Sequence, residues 1–106
     1  MVWRVEILEE AVSELDAWPA KVRAALDKIV ERIEVLGMDR LHEPHVKHIQ
    51  GKMWEMRPCA AGNDGRALYV TVSGQRVVIV AAFMKKTRKT PKRWIDVALE
   101  RAKGIS

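Results

Sequence analysis

Cysteine is almost missing from this sequence, with one residue, Cys59, in 106. A single thiol excludes an internal disulfide framework and fits a reducing compartment. Long apolar runs are missing as well. The one that opens at Val77 meets Lys85 far short of the roughly 20 apolar residues of a membrane-spanning helix. The start of the chain, Met1-Val2-Trp3-Arg4-Val5-Glu6, carries charges where a signal peptide needs its apolar region. These absences lead to the expectation of a cytoplasmic protein with no membrane partner. Repeats, low-complexity segments and linkers are also lacking, so residues 1–106 read as a single domain. A second cysteine and a cluster of acids, which a zinc site would need, are absent too. His42, His45 and His48 fall at steps of three, which on one helix leaves the first and last about 240° apart. No metal and no cofactor is expected.

What is present is positive charge, unevenly placed. Residues 1–37 hold 5 Lys/Arg against 8 Asp/Glu, a net of −3. Residues 38–106 hold 14 against 6, a net of +8. Such a division argues for one half that faces a polyanion and another that faces solvent or a protein partner.

Hydrophobic periodicity orders the chain. Trp3 to Ile7 alternates apolar and charged residues, as a half-buried strand does. Leu8, Val12, Leu15 and Trp18 recur at helical spacing, which predicts a short helix over 9–17. Pro19 breaks it and opens a second helix, whose apolar stripe is Val22, Leu26, Ile29, Ile33 and Leu36. Residues 38–52 lack a period and read as a loop. Met53 to Arg57 alternates, with Trp54 and Met56 on one face and Glu55 and Arg57 on the other. After a turn over 61–65, Arg66 to Val72 is a second such strand. A third, 77–84, is apolar on both faces and therefore reads as buried. Thr90-Pro91 is a capping side chain followed by a first-turn proline, and starts a helix over 91–103. The predicted fold is α+β in the order β-α-α-β-β-β-α, an antiparallel meander with an N-terminal helical hairpin and a C-terminal helix.

Chemistry concentrates where the buried strand ends. Lys85-Lys86-Thr87-Arg88-Lys89, continued by Lys92 and Arg93, is suited to phosphate contact. Arg57 and Arg66 flank a turn and come toward Lys85 and Lys86 if the last two strands pair. Such a cluster can hold a phosphate and stabilise charge developing on it. Glu55 shares the face of Arg57 and is a proton acceptor or a salt-bridge partner. Tyr69 points outward from its strand and could stack on a base. His48 titrates near neutrality, but nothing locates it at the cluster. Cys59 has no evident base.

Three strings carry a resemblance: Gly51-Lys52-Met53-Trp54-Glu55-Met56-Arg57, Arg66-Ala67-Leu68-Tyr69, and Ala82-Phe83-Met84-Lys85-Lys86-Thr87-Arg88-Lys89-Thr90-Pro91. Together they resemble the RelE/ParE toxin superfamily, and within it the phage-derived, HigB-like branch. The resemblance implies the toxin of a type II toxin–antitoxin pair, cleaving mRNA on the ribosome without a metal. The cognate antitoxin would carry a helix-turn-helix domain. By carry-over, Arg66 is the phosphate-binding arginine, Arg57 the arginine after the strand glutamate, and Lys86 the basic residue after the long strand, with Lys85 beside it. Lys52, Lys89 and Lys92 would hold the RNA backbone. The tail departs from cleaving members in having no His or Tyr, so the base stays open between Glu55, a deprotonated lysine and His48. Two other readings remain: a ParE-type gyrase inhibitor, and a non-catalytic basic module that binds RNA or protein.

Overall fold

In the computed structural model, which describes residues 3–41 and 44–105, the chain runs β1 (Arg4–Ile7), α1 (Glu9–Asp16), α2 (Ala20–Leu36), a 3-10 turn (Met38–Arg40), β2 (Val46–Gln50), β3 (Met53–Met56), β4 (Cys59–Ala60), β5 (Asn63–Val72), β6 (Arg76–Met84) and α3 (Lys92–Ala102). The main sheet has the order β1-β6-β5-β3-β2. β1 lies parallel to β6, and the other neighbours are antiparallel.

From Val77 on, β6 is apolar because both of its faces are covered. The helical hairpin lays Ala11, Leu15, Trp18, Val22, Leu26, Ile29 and Ile33 over one face, against Met56, Ala67, Tyr69, Val77, Ile79 and Ala82. On the other face Ala98, Trp94 and Leu99 of α3 pack on Leu68, Val70, Val78, Val80 and Phe83. The rings of Phe83 and Trp94 stack with centroids 5.0 Å apart. Each large aliphatic side chain buried this way contributes about 1.5–3 kcal/mol. Gly65 sits at a close approach in the hairpin-side layer. A Cβ there would lie 2.7 Å from Cη2 of Trp18 and 2.9 Å from Val22.

A bulge in β6 decides which side chains reach which layer. Leu68 pairs with Ala81 and Tyr69 with Ile79, which leaves Val80 as an extra residue on β6. Val80 and Ala81 consequently both face α3, and the alternation resumes one step out of phase. Phe83 then faces α3, while Ala82 and Met84 face the hairpin.

The α+β class and the meander agree with the expectation, but two strands are additional. Residues 38–52, read as a loop, hold the 3-10 turn and β2. β2 is an edge strand whose register slips between His48 and Gln50. Only Val46 on it is buried, so its period-2 signal is diluted. The expected turn 61–65 shrinks to Ala61-Gly62, both at positive φ, between β4 and β5. Thr90 does not cap α3, where Pro91 holds the cap position and makes no side-chain bond.

Past Ile7, no strand among the described residues lies on the β1 side of β6. Glu14 and Arg101 close that edge. The Ala82 N–H donates to Glu14 at 3.0 Å, and Arg101 donates to the Val80 carbonyl at 2.9 Å and to both Glu14 oxygens at 2.9 and 2.8 Å. No described helix is long and apolar enough to cross a membrane.

Candidate active site

The ends of β3, β5 and β6 bring four of the predicted residues together on the α3 face, beyond the start of α3. Glu55 on β3 lies opposite Leu68 of β5, and Arg66 of β5 lies opposite Phe83 of β6. Two residues on from Glu55 comes Arg57, and two on from Phe83 comes Lys85, on the same face by alternation. Glu55 is 3% exposed and Arg66 is 4% exposed. Oε2 of Glu55 sits 3.7 Å from Nε of Arg57 and 3.7 Å from Nε of Arg66. Those separations are too long for hydrogen bonds, so the pairing is Coulombic. Nη1 of Arg66 donates to its neighbour's carbonyl, Gly65 O, at 2.7 Å.

Thr90 supplies the short contact. Its hydroxyl donates to Oε1 of Glu55 at 2.6 Å. The basic loop is thereby tied to the end of β3, and Glu55 is held with one oxygen toward the loop and one toward the guanidinium pair. A carboxylate engaged on both oxygens is placed to organise cations more than to accept a proton.

Lys85 is better suited to proton transfer. Partial burial pushes its amine below the usual lysine range, and Arg66 and Arg57 add to the effect against Asp64 and Glu55. Its backbone N–H donates to Asp64 O at 2.8 Å, which fixes the strand end. Burial likewise lowers the Arg66 guanidinium, with Glu55 opposing. It stays charged regardless. Together Arg57, Arg66 and Lys85 form a cationic cradle around one fixed carboxylate, Glu55.

Other predicted residues fall elsewhere. Lys86 alternates away from Lys85 and lines a groove of about 440 Å³ with Trp18, Arg93 and Trp94, at the open edge of β6. Tyr69 requires correction: it is 0% exposed in the hairpin-side core and has no face to offer a base. Its strand is covered on both sides, so the face read as outward is a second interior. Lys52 sits in the β2–β3 turn, at the far end of β3, and lines a groove with Leu99 and Ile105. Lys92 turns along α3 to Asp96 at 2.9 Å. Arg88 and Lys89 are exposed on the loop, where Thr87 donates to Lys89 O at 2.8 Å. His48 lies against Trp54, centroids 5.0 Å apart, and its Nε2 is 2.8 Å from Gly51 O, which commits it to the hairpin rather than the cradle. His45 lends its carbonyl to the Arg57 N–H. His42 lies outside the described residues. Among the described residues no group of three or more His, Cys, Asp or Glu is placed to hold a metal.

Two residues of the site are not visible as such in the sequence. Thr90 has the local pattern of a helix cap. Lys47 is directly opposite Glu55 on β2, hence on the same face, and was invisible while residues 38–52 read as a loop.

The sequence profile of the phage-derived Gp49-like proteins matches residues 13–103. The chain belongs to the Gp49-like family. Two relatives, each named probable endoribonuclease HigB1, come from the CDC 1551 / Oshkosh and H37Rv strains of Mycobacterium tuberculosis. Each is 38% identical to this Gp49-like chain over 90 residues, covering 85% of this chain and 69% of the relative. Among solved structures, a mutant of E. coli toxin RelE in the free state superposes with a TM-score of 0.66 at 17% identity, covering all of both chains. The RelBE2 toxin–antitoxin complex of M. tuberculosis gives 0.60 at 16% identity, over 80% of this chain and 100% of that one. The archaeal RelE–RelB complex of Pyrococcus horikoshii OT3 gives 0.59 at 19%, over 79% and 96%. At these identities the likeness establishes the fold, which this Gp49-like chain shares with RelE.

Proposed function

We propose that this Gp49-like protein is the toxin of a toxin–antitoxin pair and an endoribonuclease acting on mRNA at the ribosome. The observation that carries the reading is the convergence of Arg57, Arg66 and Lys85 around Glu55, in a chain 38% identical to proteins named endoribonuclease. Arg57 and Arg66 hold the scissile phosphate and offset the charge that grows on its oxygens. The fraction of Lys85 present as free amine, raised by its lowered pKa, takes the proton of the neighbouring ribose 2′-OH. The 2′ oxygen bonds to phosphorus, the bond from phosphorus to the 5′ oxygen breaks, and that oxygen takes up a proton. The products are a 2′,3′-cyclic phosphate and a 5′-OH. Glu55 and Thr90 position the cations and leave the bond-making to others. Arg88 and Lys89 contact flanking phosphates. The cognate antitoxin carries a helix-turn-helix domain, the site of action is the cytoplasm, and the reaction needs no metal.

Translation in vitro followed by primer-extension mapping tests this reading. The expected result is mRNA cut at discrete positions in translated regions, with cutting lost when a 2′-deoxy nucleotide precedes the scissile phosphate. Intact mRNA with unimpaired translation would overturn it. Inhibited supercoiling with intact mRNA would favour gyrase inhibition instead.

A further inference from the structure

Arg57 borders two surfaces. On one side it faces Glu55 in the cradle. On the other it lines a groove of about 470 Å³ between α2 and β4, together with Lys21, Lys28, Arg32 and His45. The three α2 cations are separated by seven and four residues, which at 100° per residue puts them within about 20° of one line along the helix. At 1.5 Å per residue the line runs roughly 16 Å. All three are exposed, and among the described residues none makes an ion pair. Two of the carboxylates nearby are otherwise placed: Asp27 is taken by Arg23 at 3.3 Å, and Glu34 accepts the Val5 N–H at 3.1 Å. Glu31 is absent from the groove's lining and shares a neighbouring pocket with Lys28 and Arg32, with no ion pair to either. The acidic half of the chain therefore carries its own cationic stripe, on the one helix face that leads to the cradle.

We propose that the α2–β4 groove is a second RNA site, holding the phosphodiester backbone of nucleotides that flank the one in the cradle, with Arg57 shared between the two. The inference rests on the reading of the cradle as an RNA site. A row of unpaired cations that continues into a phosphate-binding cluster suits a polyanionic strand. Each phosphate it neutralises releases counterions and steepens the dependence of binding on salt.

The test uses the full chain and 2′-O-methyl RNA, which has no free 2′-OH to attack. Affinities for strands of about 4 and about 12 nucleotides are measured by fluorescence anisotropy across a salt series, for the wild type and for Lys21→Ala/Lys28→Ala/Arg32→Ala. The wild type should bind the longer strand more tightly and with a steeper salt slope. The triple variant should lose that advantage, its slope for the longer strand falling by about 2 (three phosphates at about 0.7 each), with the shorter strand bound as before. Arg32→Glu alone should move the slope in the same direction, a safeguard if the triple variant folds poorly. Equal binding of the longer strand by wild type and variants overturns the groove and leaves the cradle standing. Loss of binding to poly-glutamate, with RNA binding intact, overturns it in favour of an acidic protein segment. Failure of the wild type to bind either RNA overturns the RNA reading of the cradle itself.

Discussion

Replacing Glu55 with glutamine isolates the one charge around which the cradle is built. The side chain keeps its shape and an oxygen for the Thr90 hydroxyl, now 2.6 Å away, but the negative charge disappears. Arg66, only 4% exposed, then loses the carboxylate that acts on it most strongly and keeps only the weaker attraction of Asp64. Leaving a buried charge without its partner costs about 3–5 kcal/mol. Arg57 loses the same partner but its side chain is 25% exposed, so water compensates much of its share. For a chain of this size each kcal/mol lowers Tm by about 4 °C, so Glu55→Gln should melt roughly 12–20 °C below the wild type. Anion binding should move the other way. A phosphate entering the cradle no longer meets the carboxylate, and the guanidinium gains a partner. Scanning calorimetry with and without 2′-O-methyl RNA reads both effects. The Tm gap should narrow as RNA is added, because a ligand that binds only the folded state stabilises it by mass action. A Glu55→Gln Tm within about 4 °C of the wild type, unmoved by RNA, would refute the assignment of Glu55 as the counter-ion of the cradle.

Gly65→Ala should lower stability by about 1–3 kcal/mol, since the new methyl meets the Trp18 ring at 2.7 Å; a urea melt checks it, and an unchanged midpoint refutes the tight packing. Lys85→Arg keeps the charge but replaces an amine of lowered pKa with a guanidinium that stays protonated, so cleavage should fall about 10²–10⁴-fold. The wild-type rate should rise with pH up to the lowered lysine value, and the variant should lose that rise; an identical pH–rate profile in both would exclude Lys85 as the base. Tyr69, the single tyrosine, has its phenol pushed well up by burial. Both folded and unfolded states are protonated below the ordinary tyrosine value of about 10, so its contribution to stability is full there and is lost as pH climbs above it. Phenolate absorbance should therefore appear only as the chain unfolds in alkali, and a reversible titration near the ordinary value in the folded state would refute its burial.

Helices and inner strands were legible because their periods are strong. Val22, Leu26, Ile29 and Ile33 point one way on α2, and all four are buried. Edge strand β2 was not, because one buried residue and a register slip leave no period to detect. At the candidate site, the meander allowed Arg57, Arg66 and Lys85 to be placed near one another, and the face shared by Glu55 and Arg57 follows from alternation. Which lysine of the pair turns inward did not follow, since it depends on the bulge at Val80, and a run of apolar residues looks the same with or without one. Tyr69 was misplaced for a related reason: a strand covered on both sides has no outer face. Thr90 drew the cap assignment from local pattern, while its partner lies 35 residues away in sequence.

The bulge has a consequence for how this strand tolerates change. Deleting one residue between Val77 and Ala81 would exchange the two frames of β6, so that Met84 and Lys86 would stand where Phe83 and Lys85 stand now. Because the lysines are doubled, a cation would still be delivered to the same place on the α3 side. The repeat thus works as a spare copy of the charge, insulating the chemistry from the loss of one residue upstream.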